Sequence, residues 1–274
     1  MALVRTRSAR PSSAPGDDGR TAPRSAGWLR SHLLRRAWGS RVGSWDHHVQ
    51  SSESFGAVLD AVVARAEPQV TDSVVDLGAG TGYVSLALAP RVDRVVAADL
   101  AKPMVDALAE KAASRRLDNV HPIVVDLSHL ELPDSSVDLV VSNYALHHLT
   151  DEDKMALVTR ASRWLRPGGR LVVADMMFGR GASQRDRAII RNKLVSLARQ
   201  GPGGLWRIAK NLWRFGVRRG TEMPASPEFW QGALSSTGFE GISFDPVVAE
   251  AGVITGRVTE RVRPRLDLDC PVGR

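Results

Sequence analysis

The sequence predicts a doubly wound α/β domain, with a mostly parallel sheet, an antiparallel final strand and a helical insertion before the last elements. Three observations carry this. Short continuous apolar runs alternate with helical stretches of about ten or more residues, the pattern of strands buried on both faces. The first run ends in VVDLGAGTGY, residues 74–83, where three glycines at alternate positions turn the chain into a helix. The last two runs, ISFDPVV and GVITGRV, are joined by so short a link that they must be antiparallel.

Taken in order, residues 1–27 are rich in Pro, Ser, Ala, Gly and Arg, the composition of a basic tail without a packed core. Residues 28–67 read as N-terminal capping elements. Leu29, Leu33, Leu34, Ala37 and Trp38 have helical spacing broken at Gly39, so a short helix followed by a loop through Trp45-Asp46-His47-His48 is expected. Phe55 to Ala66 gives a second helix, ended before Pro68. The core, residues 68–178, runs strand 73–77, helix from Tyr83, strand 94–100, helix 103–117, strand 121–127 and strand 137–143. A helix to about Leu165, a turn at Pro167-Gly168-Gly169 and strand 170–177 complete it. Residues 179–225 form the insertion, 226–262 a helix and the strand pair, and 263–274 a second tail.

Charge is unevenly placed. The net charge is +7, yet residues 1–42 alone hold nine Arg against two Asp, and residues 180–220 hold eleven Lys or Arg against Asp186. The remaining body is therefore acidic, and the two basic attachments suggest an anionic surface nearby. Within the insertion, Arg207, Lys210, Arg214 and Arg218 share one helical face. Leu205, Ile208, Leu212 and Phe215 lie opposite, with Trp206 and Trp213 flanking. Such a helix suits a lid over an apolar pocket, a peripheral contact with an anionic membrane, or both. Cys270 is the single cysteine, so no disulfide framework or multi-cysteine metal site is available, and no metal is expected. The N-terminus lacks the apolar core of a signal peptide and no long apolar run follows, so a cytoplasmic location is expected.

In a doubly wound sheet the ligand sits beyond the carboxyl ends of the strands, closest to the turn after the first. The nicotinamide-dinucleotide fingerprint is G-x-G-x-x-G, whereas Gly78, Gly80 and Gly82 follow G-x-G-x-G with Asp76 just ahead. A carboxylate there would repel a pyrophosphate and suit a ligand carrying an amino group or positive charge.

These residues resemble the class I S-adenosylmethionine-dependent methyltransferases, strongly over about residues 45–178. Beside VVDLGAGTGY the resemblance includes AADLAKPM, VVDLSHLELPDSSVD, SNYALHHL and LRPGGRLVVAD, in order. It is closest to the small-molecule enzymes of the quinone-biosynthesis type. The resemblance implies a Rossmann-like core with S-adenosyl-L-methionine as cofactor. It places Asp76, Gly78, Ala79 and Gly80 at the methionine end, and Asp99 with Leu100 on the ribose. Met104 would lie beside the adenine, Asp126 and Leu127 at the adenine edge, and Asn143 facing the methyl group.

Methyl transfer from a sulfonium needs alignment more than it needs catalytic groups. A base helps only when the acceptor must lose a proton, and His147 and His148 are the nearest candidates, with Asn143 as a third polar group and His47 and His48 as alternatives. Attack on pyrimidine carbon is disfavoured because Cys270 lies far from the fourth strand. Amino-group methylation of DNA adenine or glutamine is disfavoured because Asn143-Tyr144-Ala145-Leu146 lacks the accompanying prolines. A small, apolar or lipid-like acceptor is the expectation, with O-, C- or N-methylation open. The alternatives are an RNA methyltransferase, weakened by the lack of an RNA-binding module, and a protein that binds the cofactor without turnover.

Overall fold

The structure, a computed structural model, describes residues 5–6, 24–178 and 222–259, together with Arg187, Arg191 and Val195 at single helical positions. The amphipathic stretch at 204–220 and Cys270 lie outside the described residues.

The elements are strand β1 (Arg5–Thr6), helices α1 (Arg24–Gly39), α2 (Val42–Gln50) and α3 (Glu53–Ala66), then β2 (Ser73–Leu77), α4 (Tyr83–Leu88) and β3 (Arg94–Asp99). They continue with α5 (Lys102–Ser114), β4 (Val120–Val124), β5 (Leu130–Glu131), β6 (Val137–Asn143), a 3₁₀ turn (Leu146–His148) and α6 (Asp151–Trp164). The chain closes on β7 (Leu165–Met176), α7 (Pro227–Ser236), β8 (Phe239–Pro246) and β9 (Ala251–Val258). The seven-stranded sheet has the order β4-β3-β2-β6-β7-β9-β8, parallel except where β9 runs antiparallel to both β7 and β8. The order reverses beside β2, whose neighbours are β3 and β6, so the crevice for a ligand opens above β2.

Both faces of the sheet are covered, which is why its strands are apolar throughout. Val75, Leu77, Val140 and Val173 face α6 and α7, where Trp164 and Trp230 are fully buried. The alternate residues Val74, Leu139, Val141 and Val172 face α3, α4 and α5, packing with Val58, Val62, Leu86 and Leu108. The two-residue period of the strands thus divides one core into two layers.

Several boundaries differ from the sequence reading. The segment taken as a loop around Trp45 is the helix α2, and its predecessor begins at Arg24 rather than Trp28. Weak local propensity is overridden there by packing: Trp45 stands edge-on to Trp38 at 5.1 Å and to Phe55 at 5.6 Å. The third core strand stops at Val124, which leaves Asp126 in the turn beyond it. The Pro167-Gly168-Gly169 turn lies inside β7, as a bulge: Leu165 pairs with Val137 and Arg170 with Leu139, and Gly168 absorbs the bend at φ +77°. Within the stretch read as a tail, Arg5 and Thr6 pair with β5.

Gly82 shows how tightly the turn after β2 is built. Its φ is +92°, and a Cβ there would lie 2.0 Å from Leu108 Cδ1 on α5. Gly82→Ala is therefore expected to destabilise the fold by about 1–3 kcal/mol, through strain and overpacking together, as read from urea denaturation. A variant with wild-type stability would mean that α5 can move away from the turn freely.

Candidate functional site

The turn after β2 is held by its neighbour strand. Gly78 N and Ala79 N donate to Ala98 O at 2.8 and 3.0 Å, and Gly80 N donates to Asp99 Oδ2 at 2.8 Å. Gly78 has φ +75°, and a Cβ on it would meet Ala145 Cβ at 2.3 Å, so only glycine lets the loop after β6 come this close. At Gly80 a Cβ would meet nothing within 4 Å, because that side of the backbone faces open space.

That space is a cavity of about 610 Å³ over the carboxyl ends of β2, β3, β4 and β6. Asp76, Gly78, Ala79, Gly80, Asp99, Leu100, Met104, Asp126, Leu127 and Asn143 all line it, so every residue expected at the cofactor is brought to one place.

The three carboxylates sit in different environments. Asp76 is buried at the end of β2 and accepts from Ser85 Oγ at 2.6 Å and from the Ser85 amide; burial dominates and pushes its carboxyl up to about 7. Asp99 accepts from the amides of Gly80 and Ala101, each at 2.8 Å, yet burial still outweighs them and raises its pKa. For Asp126 burial is overcome instead, by hydrogen bonds from Ser31 Oγ at 2.6 Å and from Ser128 N and Oγ at 3.0 and 2.7 Å. Its carboxyl is held below the usual range.

Of the two histidines after β6, His148 lines the cavity together with Asn143. His147 is turned away and buried, with Nδ1 2.6 Å from Asp175 Oδ1 and its amide donating to Asp175 Oδ2 at 2.8 Å. Burial opposes its protonation, but the Asp175 carboxylate prevails and raises its pKa. The two imidazoles touch, with centroids 4.1 Å apart. His47 is exposed, and the side chain of His48 lies outside the described residues. Among the described residues no three His, Cys, Asp or Glu side chains gather as a metal site would need.

Sequence reasoning missed the aromatic wall of the cavity. Trp38, Trp45, Phe55, Tyr83 and Tyr144 line the same cavity. Phe55 stacks on Tyr144 at 5.1 Å, and Trp38 stands edge-on to His148 at 5.5 Å. Tyr144 takes φ +52°, and its phenol is pushed up by burial first and then by Glu250 and Asp175. The aromatic residues of the capping segment were visible in the sequence, but their convergence depends on α2 being a helix. Ser31 left no readable signal, since its bond to Asp126 spans 95 positions.

The lining fits a cationic nucleoside of the S-adenosylmethionine type: the carboxylates at the strand ends are acceptors for donors that a ligand brings, and Asn143 Oδ1 is buried with no hydrogen-bond partner among the described residues, an acceptor in need of a donor.

Comparisons with known proteins fit this geometry. Residues 74–169 match the family model described as a methyltransferase domain. An uncharacterised methyltransferase of Bacillus subtilis, YcgJ, is 32% identical over 120 residues, which is 44% of this chain and 47% of that protein. The cypemycin N-terminal methyltransferase of a Streptomyces species is 38% identical over 123 residues, 44% of this chain and 49% of the relative. The chain thus spans about half the length of these curated relatives. Among solved structures, YcgJ superposes with a TM-score of 0.56 at 19% identity, covering 74% of this chain and 98% of that one. The complex of DhpI with S-adenosylhomocysteine gives 0.59 at 22% identity, covering 86% and 100%. At such identities these likenesses establish a shared fold.

Asp76 gives a pH signature to the ligand-free protein. Because its folded pKa lies above the unfolded value of 3.8, its contribution to stability is complete below that value and is lost as pH rises through about 7. Asp76→Asn is expected to match the wild type near pH 4 in urea denaturation. Near pH 8 it should exceed it by a few kcal/mol, at about 1.4 kcal/mol per pKa unit. Parallel pH profiles for the two proteins would contradict the burial of an ionisable Asp76.

Proposed function

We propose, from the premise that residues 74–169 form a class I S-adenosylmethionine-dependent methyltransferase domain, that this chain transfers a methyl group to a small, apolar or lipid-like acceptor held against the aromatic wall. The observation that carries the reading is the mixed lining of the cavity, which combines strand-end carboxylates and bare glycine backbone with Trp38, Trp45, Phe55 and Tyr144.

The bound cofactor supplies an activated methyl group whose sulfur is a ready leaving group. Asp76 would accept from its amino group, Asp99 from the ribose hydroxyls, and Asp126 from the adenine edge. The Gly78 and Gly80 backbone leaves room for the methionine arm. The wall then orients the acceptor for in-line attack and excludes water, and such alignment is worth roughly 7–11 kcal/mol of a barrier. Where the acceptor must lose a proton, His148 is the group placed to take it, with His147 fixed behind it by Asp175. Stacking on tryptophan and phenylalanine favours planar or apolar acceptors over polyanions.

The amphipathic helix read at 204–220 extends the proposal to a peripheral contact with an anionic membrane, from which a lipid-like acceptor would be taken. No helix among the described residues is long and apolar enough to cross a membrane.

Asp99→Ala is expected to weaken binding of S-adenosylhomocysteine by about 1–3 kcal/mol in calorimetry, through loss of charge-assisted hydrogen bonds, with the fold checked by circular dichroism. Unchanged affinity would remove Asp99 from the ribose. Labelled methyl transferred into a host extract should enter the lipid or small-molecule fraction. Label confined to RNA or protein would overturn the acceptor assignment.

A further inference from the structure

Within the Trp45-Asp46-His47-His48 motif Trp45 lines the cavity, while Asp46 has a place in the fold but no part in the site described above. Asp46 is where α2 meets the cofactor turn. Its Oδ1 accepts from Thr81 Oγ1 at 2.5 Å, its Oδ2 is 2.7 Å from Lys111 Nζ, and its carbonyl accepts from the Tyr83 hydroxyl at 3.3 Å. Thr81 stands between Gly80 and Gly82 and is fully buried. Lys111, on α5, also donates to Thr81 O at 3.3 Å and lies over the Tyr83 ring at 5.1 Å. A single carboxylate thereby joins α2, the glycine turn and α5. Burial works against its ionisation, and the bonds from Lys111 and Thr81 reverse that and hold its carboxyl below the usual range.

This is more than an exposed ion pair. The Lys111 and Asp46 side chains keep only 27% and 21% of their exposure, and a buried hydroxyl completes the set. Such networks fix geometry more than they add stability. The geometry fixed here is that of the neighbouring residue, since Trp45 lines the cavity and sets the edge contacts with Trp38 and Phe55. Thr81, for its part, is one residue from the Gly80 amide that holds Asp99.

We infer that Asp46 is a positioning residue that couples the cofactor turn to the acceptor wall. Filling of the turn is transmitted through Thr81 and Lys111 to α2, so that Trp45 and Trp38 take their places against the acceptor once the cofactor is bound. The inference rests on the cofactor reading of the cavity. Its consequence is ordered binding, cofactor before acceptor, with a coupling that is reciprocal between the two.

The test is amide hydrogen exchange of residues 42–50 with and without saturating S-adenosylhomocysteine, in the wild type, Asp46→Ala, Lys111→Met and the double variant. In the wild type the ligand should slow exchange of α2 by about tenfold or more, as expected when a locally open segment is closed. In Asp46→Ala the ligand should still bind within about threefold, because Asp76, Asp99 and Asp126 remain, while the ligand-dependent slowing of α2 disappears. The double variant should be no worse than Asp46→Ala, as for two residues of one network. A merely structural Asp46 would speed exchange equally with and without ligand and leave the slowing ratio unchanged, and that result overturns the inference. Should Asp46→Ala fail to fold, Lys111→Met carries the same comparison. Absence of binding to the wild type would instead defeat the cofactor reading itself.

Discussion

The hydrogen bond from the Gly80 amide to the Asp99 carboxylate joins the end of β2 to the end of β3, and most of the site depends on it. It fixes the glycine turn at the point where the sheet order reverses, and it orients the carboxylate toward the cavity. With Gly78 at positive φ, the loop after β6 can close against the turn, which brings Asn143, Tyr144 and His148 to the same space. An insertion of one residue into the turn would separate all of these groups at once.

Electrostatics then assigns the work among similar side chains. Asp76, Asp99 and Asp126 occupy equivalent places at successive strand ends, yet burial raises the first two while Ser31 and Ser128 hold the third ionised. A buried carboxylate whose own hydrogen bonds do not offset its desolvation gains most from a ligand that brings further donors, and least from an anion. The aromatic residues of the cavity carry no such demand, so its lining combines charge with apolar surface.

Much of this was legible in the sequence, and for identifiable reasons. Strand and helix alternation is a local pattern, so the sheet and its antiparallel last strand could be placed from it, while the family resemblance singled out the residues from Asp76 to Asn143 that line the cavity. What was not legible depends on contacts far apart in the chain. The helix α2 forms because Trp45 packs on Trp38 and Phe55 and because Asp46 reaches Thr81 and Lys111, and these last two lie far outside any window of local sequence. His147 and His148 are adjacent and look alike in sequence. Only the partner Asp175, 28 positions away, turns one into the core and leaves the other at the cavity.

The most direct test of the account is the pH dependence of S-adenosylhomocysteine binding to the wild-type protein, measured by calorimetry from about pH 5.5 to 8.5. If Asp76 accepts from the ligand's amino group, binding requires its ionised form. Affinity should then rise up to about tenfold per pH unit below about 7 and level off above it. Affinity that is flat across this range, or that increases toward acid, would mean that Asp76 does not face the ligand and that the cavity has been read in the wrong orientation.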